Sequence, residues 1–296
     1  MYIGLALNDF GLSLPEVAEQ ARAAAKVGLS GVWLSQLAGR DALTTVALAG
    51  HDVPGIELGT AVVPTYPRHP LTLAAQALTV QEAVGGRLTL GVGVSHRPIV
   101  EGQFGYSFDR SARHLREYLS ALVPLLHGES VEVRGETLTA VGAVGVPLAA
   151  APSVLVGALG PAMLRVAGEL TDGTVVTWAT PAALSDYVVP EISKAAGART
   201  PRVVTAVPVG LTSHPEELRG WAAENFAMVA QLPSYRAILD RGGAAGPQDT
   251  VVAGDETTVE RELRRHLDAG ATDIVAILLG SGADRTRTIE FLAALT

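Results

Sequence analysis

Eight short apolar runs, separated by longer amphipathic stretches, constrain the fold of this chain more than any other feature. The runs are Ile3–Leu7, Val32–Leu34, Ile56–Val63, Leu88–Val94, Val154–Leu159, Val175–Trp178, Val203–Val209 and Ile274–Leu279. They are mostly continuous rather than alternating, the pattern of strands covered on both faces, as in a parallel sheet. Eight such strands alternating with helices point to an α/β chain, a (β/α)8 TIM barrel.

The joints between these runs are legible. Ser13-Leu14-Pro15-Glu16 reads as a capping box opening a helix, and Gly28 closes that helix. Thr257-Thr258-Val259-Glu260 reads as the same device near the other end, closed by Gly270. Segments 24–32 and 267–275 echo each other as helix end, tight turn and strand start, and 167–175 is a looser third copy. Two stretches break the repeat. Residues 128–150 contain Val131–Leu138, a hairpin pattern turning near Arg134-Gly135, and form an expected insertion between the fourth helix and fifth strand. Residues 231–254 read as a long loop with at most one short helix. The apolar runs continue across both, so residues 1–296 are expected to be one domain.

Composition supports a large core: the chain is 48% hydrophobic and only 18% charged. Its net charge of -8 argues against a nucleic-acid partner, which would require a basic face. No apolar run approaches the roughly 20 residues of a membrane helix, so no membrane partner is expected. The N-terminus reads as a first strand rather than a signal peptide, and a cytoplasmic location is the default expectation. Without cysteine there is neither a disulfide nor a thiolate metal site.

In a barrel of this kind chemistry sits at the C-terminal ends of the strands. That rule nominates Asn8, Ser35, Gln36, Ala61, Val62, Ser95, His96, Gly157, Ala158, Trp178, Gly280 and Ser281. His96 is the candidate catalytic residue, since it directly follows the fourth strand. Trp178 is weighed equally as core and as cofactor wall. His69, before Pro70, reads as structural, and His51, His127, His214 and His266 read as surface or helix-end residues. No histidine has metal-ligand spacing with another histidine or carboxylate, and no metal is expected. Gly91-Val92-Gly93 fails the dinucleotide pattern because His96 stands at its third glycine. Gly157-Ala158-Leu159-Gly160-Pro161 reads either as a tight turn or as a strand-to-helix turn offering free amides to a phosphate.

Gly59-Thr60-Ala61-Val62-Val63-Pro64-Thr65-Tyr66-Pro67-Arg68-His69-Pro70 resembles the third strand and helix of the luciferase-like monooxygenase superfamily. Gly86–Gly93 resembles its fourth strand, Val32–Ser35 its second-strand end, and Leu159-Gly160-Pro161 with Ala167-Gly168-Glu169 and Asp172-Gly173 its phosphate-side unit. Arg68-His69-Pro70 leans towards the branch that uses the deazaflavin coenzyme F420. The resemblance implies hydride transfer between F420 and a small organic substrate, a cis peptide in the third strand, and a homodimer. It implies a ring backstop at Ala61-Val62, a phosphate loop at Gly157, Ala158, Leu159 and Gly160, and Ser35, Thr60 and Ser95 near the coenzyme, with Trp178 as a further cofactor-binding candidate.

One departure bears on direction. Several members carry an acidic residue and a proton-transferring histidine after the second-strand serine; here Gln36 and Leu37 follow Ser35. Without that base, alcohol oxidation is disfavoured and reduction fits better, with the proton from His96, Ser95 or water. The alternatives are an FMN-dependent monooxygenase, a coenzyme-binding protein without turnover, and, last, a non-redox phosphate-substrate barrel. For the dimer, the helices at 41–50 and 70–84 are the expected interface, through Leu43, Val46, Leu48, Leu71, Leu78 and Val80.

Overall fold

A computed structural model describes residues 1–36, 39–147 and 150–296. Its strands in chain order are β1 (Tyr2–Ala6), β2 (Gly31–Leu34), β3 (Glu57–Thr60), β4 (Val63–Pro64), β5 (Leu88–Gly93), β6 (Val131–Arg134), β7 (Thr139–Gly142), β8 (Ser153–Gly157), β9 (Gly173–Thr177), β10 (Arg202–Leu211), β11 (Val252–Gly254) and β12 (Asp273–Leu278). Every expected apolar run contains a strand. Parallel pairing runs β1-β2-β3-β5-β8-β9-β10-β12 and returns to β1, closing an eight-stranded α/β barrel. β4 continues the third staff after a break and pairs with β5 through Val63↔Val92 and Pro64↔Gly93.

Inside the closed barrel, every second residue along a strand faces the axis. The lower layer is polar: Tyr2, Glu57, Thr89, Arg202 and Asp273. Arg202 forks between Glu57 (2.6 and 2.8 Å) and Asp273 (2.8 and 3.0 Å), while Tyr2 and Thr89 donate to Glu57. Burial alone would raise the Glu57 carboxyl, but hydrogen bonds from Arg202, Thr89 and Tyr2 outweigh it and hold it below its ordinary value. The middle layer is Trp33 with Leu155, Val175, Val204 and Val275. Trp33 fits only because glycines face it: a Cβ at Gly59 would lie 2.2 Å from its ring, and one at Gly4 2.8 Å. The lower and middle layers of the barrel are therefore filled.

The helices begin and end much as the sequence suggests. Glu16 accepts from the Ser13 amide (2.7 Å) and hydroxyl (2.6 Å), and Gly28 and Gly270 both turn at φ 96°. The late helix differs in one detail. It starts at Glu256, capped by Asp255, whose carboxylate accepts from Thr258 N at 2.8 Å, so Thr257 is not the cap. The helix opens two residues earlier than the Thr257 cap would place it, so Thr257 lies within its first turn.

The hairpin β6–β7 forms as expected, with Arg134 opposite Thr139. Glu117 anchors its turn by accepting from the amides of Glu136 (3.0 Å) and Thr137 (2.8 Å). The second insertion carries more structure than one short helix. It holds the helix Pro233–Arg241, a 3-10 turn Pro247–Thr250 and the strand β11, which extends the sheet beside β10 from Val209↔Val252 to Leu211↔Gly254. Three-residue strands carry too little periodicity to be read from sequence.

The expected apolar interface does not survive as such. Leu43, Val46, Leu78 and Val80 are buried within the chain, and Leu48 is 58% exposed. A barrel helix packs on both neighbouring helices as well as on the strands, as 42–50 does with 14–27 and 70–83, so more than one stripe must be apolar.

Candidate functional site

The upper layer of the barrel interior is made of small residues. Ala6, Ala61, Gly93 and Gly157 occupy the axis-facing positions above Trp33, with Ala206, Thr177 and Ile277 completing the ring. These are the smallest side chains of the three layers, and Val62 packs over the two glycines. The peptide between Ala61 and Val62 is cis, where the family resemblance places it. Around it the backbone is pinned from three sides. Ser35 Oγ donates to Ala61 O (2.6 Å), Gln36 N donates to Val62 O (3.3 Å), and Thr60 Oγ1 bridges Gly91 O and Gly91 N, both at 2.9 Å. Glycine at 93 and 157 is a packing requirement, because a Cβ there would meet Val62 at 2.7 and 3.2 Å. Thr60 is fully buried, and its hydroxyl is spent on the Gly91 backbone.

Two strand-end residues are held in a left-handed conformation unusual for anything but glycine: Ser95 at φ 61° after β5, and Trp178 at φ 64° after β9. For a residue as bulky as tryptophan this is a true outlier, tolerated only where the surroundings over-determine it. Trp178 is buried, and its ring packs on Phe226 with centroids 5.0 Å apart, followed outward by Trp221. Trp178 thus packs against the end of the helix Pro215–Asn225 as well as closing its strand.

His96 opens the short helix Arg97–Gly102 and is half-buried. Its ring meets Tyr235 of the second insertion, centroids 4.9 Å apart. Burial lowers its pKa below the ordinary 6.5, so the ring is uncharged at neutral pH. The remaining histidines divide by packing. His69 caps its helix by accepting from Leu71 N (3.3 Å) and lies 2.8 Å from Thr139 O, the structural role expected of it. His51, His127 and His214 sit at helix ends, and so does His266, in the last turn of the helix Glu256–Asp268, though at 3% exposure it is buried rather than on the surface. It lies on the inner stripe of an otherwise very polar helix, where sequence composition masks burial.

Past β8 the chain runs Gly157, buried Ala158, Leu159 and Gly160, which is the N-cap of the helix Pro161–Leu170. Gly160 supplies no side chain, so the first-turn amides of that helix have no capping oxygen from it. Leu159 O is occupied by the Tyr187 hydroxyl at 3.1 Å, which fixes the loop from outside.

Gln36 is committed to structure. Its Oε1 accepts from Ala42 N (3.1 Å) and from Arg68 Nη2 (3.1 Å), and Arg68 also pairs with Asp41. An amide so placed is no base. Leu37 lies outside the described residues. Sequence reasoning missed His114 entirely: it is buried, 3.2 Å from Thr65 Oγ1, and stacked on Tyr66 with centroids 4.0 Å apart. Its position on the strong apolar stripe of helix Ser111–Leu126 was the available signal. Among the described residues no three His, Asp or Glu side chains converge as a metal site, and no helix is long and apolar enough to cross a membrane.

Comparison with known proteins places this architecture. A putative coenzyme F420-dependent oxidoreductase of Mycobacterium tuberculosis is 32% identical over 196 residues, 61% of this chain and 56% of that protein. The chain spans little more than half the length of these curated relatives. An F420-dependent secondary alcohol dehydrogenase, solved with an F420-acetone adduct, shares the fold at TM-score 0.83 and 17% identity, over 99% of this chain and 97% of that one. So does the FMN-bound oxygenating constituent of 3,6-diketocamphane monooxygenase of Pseudomonas putida, at TM-score 0.79 and 17% identity, over 99% and 96%. The family model of luciferase-like monooxygenases matches residues 5–295, essentially the whole barrel, and on that match the chain belongs to the luciferase-like monooxygenase family.

Proposed function

We propose that this protein is an oxidoreductase that holds the deazaflavin F420 at the barrel mouth and passes a hydride between it and a small organic substrate, acting chiefly as a reductase. The observation that carries the reading is the pairing of two features at one end of the barrel. One is an axis-facing layer of small residues, Ala6, Ala61, Gly93 and Gly157, with Val62 packed against the two glycines. The other, reached within three residues of Gly157, is a ten-residue helix whose cap position contributes no side-chain oxygen. A flat coenzyme with a phosphate fits both.

The bound coenzyme supplies hydride chemistry. The chain supplies the rest. Ala61 and Val62 form the backstop, with Ser35, Thr60 and Ser95 around it. Gly157, Ala158, Leu159 and Gly160 bind the phosphate, and Trp178 walls the side. His96 is the proton donor. With Gln36 tied to Ala42 and Arg68, no base stands after β2 to take a hydroxyl proton, which is why reduction is favoured over alcohol oxidation. The F420-named relative adds support.

FMN remains the alternative coenzyme, favoured by the FMN-bound monooxygenase of like fold. A third reading, coenzyme binding without turnover, follows from the same missing base. We further propose one domain over residues 1–296 and a homodimer acting on a small molecule in the cytoplasm. Titration with both coenzymes followed by a turnover screen with reduced F420 separates these readings: binding of F420 without any reduction would leave only the carrier.

A further inference from the structure

A cavity of about 700 Å³ lies off the barrel axis. It opens beside the mouth, between Thr65–Pro70 after β4, the 106–110 loop and the β6–β7 hairpin. Thr65 N donates to Gly93 O at 2.9 Å, so the cavity abuts the upper layer without being part of it. Its size is that of a small-molecule site.

Three features of its lining define what it would accept. First, the wall is aromatic. Tyr66 stacks on His114 and has Tyr106 at 6.1 Å, and Tyr106 is 49% exposed at the cavity rim. Second, the charged groups of the lining already have partners: Arg68 pairs with Asp41, Arg110 shares Glu136 with Arg113, and Asp109 shares Arg97 with Glu101. The pairs at the rim are exposed and worth little, but Arg68 and Asp41 are only 15% and 32% exposed, so an anion reaching Arg68 would have to displace Asp41. His114 adds no charge, since burial lowers its pKa to about 4. Third, the phenolic oxygens of Tyr66 and Tyr118 are buried and have no hydrogen-bond partner among the described residues. Tyr118 is only 1% exposed. Buried hydroxyls are ordinarily satisfied, so two orphans on one cavity call for an acceptor.

We propose that this cavity is a ligand site of its own, which takes an uncharged, flat ring bearing a carbonyl: the ring packs on Tyr66 and Tyr106, and the carbonyl accepts from the Tyr66 and Tyr118 hydroxyls. This does not depend on which coenzyme occupies the mouth.

The test is calorimetric titration of the purified chain, without coenzyme, with three probes: coumarin, coumarin-3-carboxylate and naphthalene. Coumarin binds, the carboxylate binds at least about tenfold more weakly because it must compete with Asp41 for Arg68, and naphthalene is weaker than coumarin because it leaves the phenols unsatisfied. Tyr118→Phe and Tyr66→Phe, each removing one hydroxyl, weaken coumarin by roughly three- to tenfold and leave naphthalene unchanged. Thermal melts confirm that both variants are folded; should one fail, the other carries the test. Equal binding of the carboxylate, loss of coumarin binding altogether, or coumarin affinity unchanged in both variants would each overturn the proposal.

Discussion

Replacing Arg202 with methionine isolates the lower layer of the barrel. The substitution preserves length and apolar stem but removes the fork that spans Glu57 and Asp273. Both carboxylates then remain buried near the barrel floor, Glu57 with 18% and Asp273 with 8% of its side chain exposed. Breaking one side of such a cluster costs about 3–5 kcal/mol. Arg202 is itself 24% exposed, so water can partly compensate and the lower end, about 3 kcal/mol, applies. Unfolding entropy of about 2.1 cal/mol/K per residue over this chain converts that to a loss of roughly 5 °C in melting temperature. The pH dependence distinguishes the mechanism from mere loss of packing. In the intact chain the Glu57 pKa lies below 4.5, so its stabilisation is present above the ordinary value and fades as pH falls through the lowered one. Without Arg202, burial dominates and the Glu57 pKa rises, so the variant is relieved on acidification and the gap in melting temperature narrows from pH 7 towards pH 5. Differential scanning fluorimetry at one scan rate across that range measures it. A loss under about 1 °C at pH 7, or a gap independent of pH, would refute the reasoning. Coenzyme affinity stays within about twofold, because this end of the barrel carries stability and the other carries chemistry.

Other outcomes follow from the upper end. Gly160→Asp places a favoured cap residue where an added Cβ meets nothing within 4 Å, so melting temperature holds or rises while affinity for either phosphate-bearing coenzyme falls by at least about tenfold in fluorescence titration. His96→Gln slows single-turnover reduction by about 100-fold with coenzyme affinity little changed. Because burial lowers the His96 pKa, the donor form is lost as pH rises: the intact chain's rate climbs on acidification with a midpoint below 6.5, and the variant's profile is flat there. Sedimentation velocity at micromolar concentration shows a dimer; a monomer would remove that part of the proposal.

The barrel was legible because its signal is repeated. Eight buried strands in parallel order need continuous apolar runs, and the glycine that ends a helix before the next strand recurs at Gly28 and Gly270 with the same φ. What could not be read depends on contacts between distant segments. β11 is three residues long and exists because β10 runs on to Leu211 and offers it an edge. The burial of Leu43, Val46, Leu78 and Val80 follows from helix-on-helix packing that one-stripe reasoning omits. At the candidate site, the Ala61-Val62 peptide was expected through family resemblance; in a run of small and β-branched residues nothing else marked it. Gln36 stood out as a missing base, yet its work as a brace between Ala42 and Arg68 became visible only in three dimensions. His114 and Tyr118 went unnoticed because polar aromatics on an apolar helix stripe look like ordinary core.

The central claim, that the mouth is built for a deazaflavin, is tested most directly by parallel fluorescence titration of the purified chain with F420 and FMN. The account predicts saturable F420 binding, tighter than FMN, and weakened by Gly160→Asp. FMN binding as tight or tighter would contradict it.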